Sequence, residues 1–133
     1  LRAKAQRLAE SLKVPADFLG RVTEDRKRRE MLSAHAFIHG ATVEGFPLSV
    51  LEAMASWRPV VARRAASLPE MLPSKATLFD TPTEAGVGLA ALLTHEDLWR
   101  DLASDNARVV EAKFRWPIVA RRVADVMESV ANA

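Results

Sequence analysis

Short apolar runs spaced by helical stretches constrain this chain most. Ala36-Phe37-Ile38-His39 is followed by Gly40, Val60-Val61-Ala62 opens after Pro59, and Ala76-Thr77-Leu78-Phe79-Asp80 precedes another helical pattern. Brief runs of this kind, bounded by turn residues, suit strands buried on both faces. Phe18-Leu19, closed by Gly20, reads as a further strand after a helix marked by Leu1, Ala5, Leu8 and Leu12. Helices are predicted from about Arg26 to Ala34, Pro47 to Ser56, Thr83 to Leu93, Glu96 to Ala112 and from Trp116 onward, with a short turn at Pro69-Glu70-Met71-Leu72. Strands alternating with helices predict an α/β fold: a parallel sheet with right-handed crossovers and helices on both faces.

Composition narrows the class. With 133 residues, 49% hydrophobic and 27% charged, the chain has the size of one globular domain and can bury roughly two-thirds of its unfolded surface. Cysteine is absent, which excludes disulfides, thiolate metal sites and a cysteine nucleophile and fits a cytoplasmic setting. No apolar run approaches the roughly 18 residues of a membrane span, so a soluble protein is expected. A formal charge of +2 names no partner. Arg26-Lys27-Arg28-Arg29 is bracketed by Glu24, Asp25 and Glu30 and lacks interleaved aromatic residues, so it reads as a solvated helix face and no nucleic-acid partner is expected. The three histidines carry no pattern.

The stretch from Val43 to Ala55 is different. Glu44 and Glu52 stand eight positions apart, on either side of Gly45-Phe46-Pro47-Leu48 and a helix start. A helix start offers unpaired backbone N–H groups and a positive dipole end, suited to a phosphate, while carboxylates accept hydrogen bonds from sugar hydroxyls. In a parallel sheet, ligands sit beyond the carboxyl ends of the strands, where the loop from Gly40 to Phe46 belongs. Leu48, Val50, Leu51, Met54 and Ala55 cover most of the helix, leaving Ser49, Glu52 and Ser56 as a narrow polar stripe. Geometry alone leaves two readings of Glu52 open: a carboxylate gripping a vicinal diol such as ribose, or one that complements the helix dipole. Glu44 can equally tie down its loop, Gly45 can serve a positive φ, and Pro47 suits the first helical position.

Together these residues resemble the carboxyl-terminal, donor-binding domain of the retaining GT-B glycosyltransferases of family 4, the group 1 glycosyltransferases. The signature of that family is a glutamate, seven intervening residues and a second glutamate. Here Glu-Gly-Phe-Pro-Leu opens the motif and Leu-Glu-Ala-Met-Ala closes it. Pro59-Val60-Val61-Ala62, Leu68-Pro69-Glu70 and Leu78-Phe79-Asp80 are similar to the strand, turn and strand that follow in the family. Phe114 and Trp116 resemble the aromatic pair before its last helix, and Phe18-Leu19-Gly20-Arg21-Val22 its strand before the motif.

The resemblance implies a Rossmann-like fold lacking its first strands, with residues 1–133 as a single partial domain that binds a nucleotide-diphosphate sugar as donor substrate. It implies Glu44 at the donor hexose as the catalytic residue. Gly45, Phe46, Pro47 and Leu48 would line the donor, with the N–H groups of Phe46 and Leu48 toward sugar hydroxyls or diphosphate, and Glu52 would hold the ribose. Glu70 reads as structural, and neither a metal nor a further cofactor is implied. Two departures stand out. The family's glycine-rich opening strand, the Arg/Lys pair on the diphosphate and the amino-terminal acceptor domain are missing from this sequence, so activity from this chain alone is not expected. Trp57 and Ser74 replace glycines, and Gly40 and Ala41 stand where the family often has proline and serine.

The last helix, about 116–131, carries Val119, Val123, Val126, Met127 and Val130 on one face. That stripe is expected to pack back on the sheet or onto a partner, either the acceptor domain or a second copy in a homodimer. In the full-length enzyme a position peripheral to a membrane is compatible with the family. The competing reading is a non-catalytic interaction module that kept the fold and lost the chemistry.

Overall fold

The computed structural model describes residues 2–131; Leu1, placed above on the first helical stripe, lies outside them. By its internal contacts the chain forms two compact units, residues 1–30 and 31–133.

The first unit holds α1 (Arg2–Ser11) and most of α2 (Glu24–Ser33), joined by an irregular segment. Phe18-Leu19 is not a strand. The Phe18 carbonyl instead accepts from the Arg2 guanidinium at 2.6 Å, and Gly20 turns the chain at φ +66°. Thr23 starts α2 by accepting from the Arg26 N–H, and Glu24 and Asp25 then sit at the positive end of the helix. Within the basic run Arg26 pairs with Glu30 at 2.5 Å and Lys27 with Glu24 at 2.7 Å, and α2 buries no residue, as a solvated face should.

The second unit is the α/β body. Strands β1 (Phe37–His39), β2 (Val60–Arg63) and β3 (Leu78–Phe79) form a parallel sheet in the order β1-β2-β3. Ile38 lies opposite Val61 and Ala62 opposite Leu78. Side chains alternate across this sheet. Val60, Ala62 and Leu78 face Val50, Ala53 and Met54 of α3 (Leu48–Ala55) and Leu68 and Met71 of α4 (Leu68–Met71). Val61 and Phe79 face Ala85 and Leu92 of α5 (Pro82–Thr94) and Leu102 of α6 (Glu96–Val109). Helices therefore cover both faces, as the sequence predicts.

The third strand is shorter than expected. Ser74 accepts from the Ala76 N–H and takes the Thr77 hydroxyl on its carbonyl at 3.1 Å, so Lys75–Thr77 closes into a 3-10 turn and only Leu78–Phe79 extends. Thr81 caps α5, with Pro82 at its first position and Glu84 reaching back to the Asp80 N–H at 2.8 Å. Beyond α6, Val110–Phe114 widens into a π-helical turn before α7 (Trp116–Ala131).

Helix α3 ends in a Schellman motif: the Arg58 N–H donates to Ala53 O at 3.0 Å and the Trp57 N–H to Met54 O at 3.1 Å. Trp57 takes the left-handed position at φ +56°, and its side chain is more than half exposed. Packing therefore offsets little of the roughly 1–2 kcal/mol that this conformation costs a residue with a Cβ. Trp57→Gly is expected to raise the unfolding free energy by about 1 kcal/mol in urea titrations; an unchanged midpoint would mean that the indole repays its own strain.

Candidate functional site

Loops 40–47 and 64–67 leave the carboxyl ends of β1 and β2 on one edge of the sheet. The hydroxyl of Ser67 ties them together by donating to the Gly45 carbonyl at 2.8 Å. Gly45 itself is not left-handed, and a Cβ added there meets nothing within 4 Å. The positive φ considered for it does not occur; its carbonyl is what the fold uses. The only left-handed glycine among the described residues is Gly20.

Pro47 is the N-cap of α3, buried, with φ −75° and ψ 97°. The sequence places Pro47 at the first helical position; the helix begins one residue later, at Leu48. Its carbonyl accepts from the Val50 N–H at 3.0 Å, and no side chain caps the helix. Among the described residues the N–H groups of Leu48 and Ser49 have no hydrogen-bond partner, so this end of the helix presents open donors.

The two carboxylates differ in setting. Glu44 is about one-third exposed, with Oε2 at 3.5 Å from Nε2 of His39 at the end of β1. Glu52 is half-buried in the second turn of α3, roughly 6 Å along the axis from Leu48. The first turn of α3 holds no acidic residue. Because dipole interactions fade beyond that turn, the reading of Glu52 as a dipole complement loses most of its force.

The apolar residues of the motif turn elsewhere. Phe46 and Leu48 are exposed and line a hollow of about 720 Å³ with Leu51, Phe114, Trp116, Val119, Val126 and Met127. The Phe46 ring lies 5.7 Å from that of Phe114, tilted by 58°. Neither glutamate lines this hollow. The motif thus divides its side chains, with Phe46 and Leu48 on the hollow and Glu44 against His39.

Residues 1–109 match the sequence pattern of glycosyl transferases group 1. The chain belongs to that family. It is 26% identical over 118 residues to the gpi3 subunit of phosphatidylinositol N-acetylglucosaminyltransferase from Schizosaccharomyces pombe, covering 87% of this chain and 26% of that protein. It is 31% identical over 101 residues to O-antigen chain mannosyltransferase B from Escherichia coli, covering 74% of this chain and 26% of that protein. With sulfoquinovosyl transferase SQD2 from Arabidopsis thaliana it shares 29% identity over 124 residues, 89% of this chain and 24% of that protein. The chain spans about a quarter of the length of these curated relatives.

For a group 1 glycosyl transferase, the fold places the glutamate motif on a strand end and a helix start, as the sequence predicts. Reasoning from sequence missed His39 and the Arg64–Asp80 pair, whose Nε–Oδ2 distance of 3.2 Å links the ends of β2 and β3. A histidine closing an apolar run five residues before Glu44 was the available signal. Among the described residues, no group of three or more His, Asp or Glu side chains is arranged to hold a metal ion, and no helix is long and apolar enough to cross a membrane.

Proposed function

We propose that this chain is the donor-binding, carboxyl-terminal portion of a retaining GT-B glycosyltransferase, moving a sugar from a nucleotide-diphosphate sugar to an acceptor. One observation carries the reading: the open N–H groups of Leu48 and Ser49 begin a helix immediately after a strand-end loop that carries Glu44. Glu44 faces the hexose and Glu52 the ribose. The backbone of Gly45 to Leu48 lies between them, where the diphosphate and sugar hydroxyls are bound, with Pro47 contributing shape and no donor. Leaving-group charge falls on the helix end, and no metal is required by this arrangement.

The family relationship and the uncovered face of α7 support the second half of the proposal, an acceptor domain seated on this chain. No residue of α7 is buried, and Val123, Val126, Met127 and Val130 are all more than half exposed. Val126→Asp is expected to change the stability of this chain by less than about 0.5 kcal/mol, as for an ordinary surface position. In a longer natural form that includes an acceptor domain, the same change should lower the melting temperature by several degrees; equal, small effects in both would remove the interface. The phosphatidylinositol in the name of one relative supports an acceptor presented at a membrane surface.

The competing interaction module is favoured by the size and apolarity of the 720 Å³ hollow, which suits a protein surface better than a sugar. Calorimetric titration of UDP-glucose, GDP-mannose and ADP-glucose into the longest natural form separates the two. Saturable binding of one of them supports the donor site; absence of binding by all three supports the module.

A further inference from the structure

His39 closes β1, and its placement is fixed by the sheet through its pairing with Ala62. Its ring lies nearly parallel to that of Phe37, 6.5 Å between centroids and 16° between planes, and its side chain is only 14% exposed. Nε2 is shut off from water and makes no hydrogen bond. A polar atom buried without a partner is costly and is rarely left without a use. The group recorded against it is Oε2 of Glu44, at 3.5 Å, beyond a good hydrogen bond.

We propose that His39 is a positioning residue for Glu44, donating from Nε2 to Oε2 when a donor sugar engages the other carboxylate oxygen. The inference rests on the reading of Glu44 given above. Glu44 stands on a loop, and a loop carboxylate left to rotate presents its lone pairs to a sugar hydroxyl only part of the time. A donor held by a strand end removes that freedom, as outer groups do for other functional side chains. The neutral ring with its proton on Nε2 and the imidazolium are both able to donate. The 3.5 Å separation is of the kind that tightens once the ligand draws the carboxylate into place. Ser67 already holds the loop backbone at Gly45, so the carboxylate is the part that remains to be fixed.

The test measures affinity by calorimetry for UDP-glucose, GDP-mannose and ADP-glucose, and for UDP, GDP and ADP, in the longest natural form of the protein. Wild type, His39→Leu, His39→Gln and Glu44→Gln are compared. His39→Leu should weaken the preferred nucleotide sugar by about ten-fold or more, leave its nucleoside diphosphate within about two-fold, and be largely rescued by His39→Gln, whose amide nitrogen reaches the Nε2 position. Glu44→Gln losing affinity while His39→Leu does not would overturn the positioning role and spare the functional reading. Equal losses for sugar and diphosphate, with His39→Gln no better than His39→Leu, would mark a packing residue and overturn it too. Failure of wild type to bind any of the six probes would overturn both. If thermal melts show that His39→Leu does not fold, His39→Asn replaces it. Its amide sits at the Nδ1 position, so the same selective loss is required of it.

Discussion

Met54→Ala is expected to lower the unfolding free energy by about 3 kcal/mol, inside the roughly 2–5 kcal/mol range for truncating a buried methionine. Met54 is fully buried and shares the core under the sheet with Val50, Ala53, Val60, Ala62 and Leu68. Its loss leaves a cavity between α3 and β2, where Pro59, itself fully buried, fixes the strand start and limits collapse. For a unit of about this size the midpoint of thermal unfolding should fall by roughly 10–20 °C. Because native domains carry only about 5–15 kcal/mol in all, the variant loses a large share of its margin. Urea unfolding monitored by circular dichroism checks this. A loss under about 1 kcal/mol with an unchanged denaturant slope would mean that α3 is not held by this core. The consequence reaches the site, because α3 carries the open amides of Leu48 and Ser49 at its free end.

What could be read from the sequence follows from which signals are local. Phe37–His39 and Val60–Arg63 were legible because apolar residues were bounded by Gly40 and Pro59. The same kind of run failed at Phe18-Leu19, where Arg2 takes the Phe18 carbonyl from a position sixteen residues earlier. It half failed at Ala76–Asp80, where the hydroxyls of Ser74 and Thr77 prefer a tight turn to an extended start. Periodicity correctly gave α7 an apolar face and had nothing to say about what covers it, since burial is a tertiary property. Trp57 was legible only as a replaced glycine at a helix end; that the turn keeps its left-handed form there is settled by the backbone.

The candidate site divides the same way. The spacing of Glu44 and Glu52 and a helix start, read one residue early at Pro47, were visible as pattern, while the positive φ considered for Gly45 does not occur and Glu52 falls in the second turn of α3, where the dipole has faded. His39 carried no periodic signal. It matters only because β1 ends where the loop bearing Glu44 returns, a closeness that five residues of sequence do not specify.

The proposed division of labour between the carboxylates makes its sharpest prediction at Glu52. Glu52→Ala is expected to weaken binding of the preferred nucleotide sugar by about 100-fold, because hydrogen bonds to a charged acceptor contribute roughly 1.5–3 kcal/mol each and a ribose diol offers two, partly replaced by water in the variant. The ribose is common to nucleotide sugar and nucleoside diphosphate, so the loss should be nearly equal for both. Glu44→Gln, removing a contact to the hexose alone, should instead weaken the nucleotide sugar by about ten-fold and leave the diphosphate unchanged. Glu52 is half-buried on a helix, and alanine is the best helix former, so thermal melts run beside the calorimetry separate a binding loss from a folding loss. Both variants failing on sugar and diphosphate alike would collapse the two roles into one. Unchanged affinity in a well-folded Glu52→Ala would remove the ribose contact and leave α3 without a side chain in the proposed site.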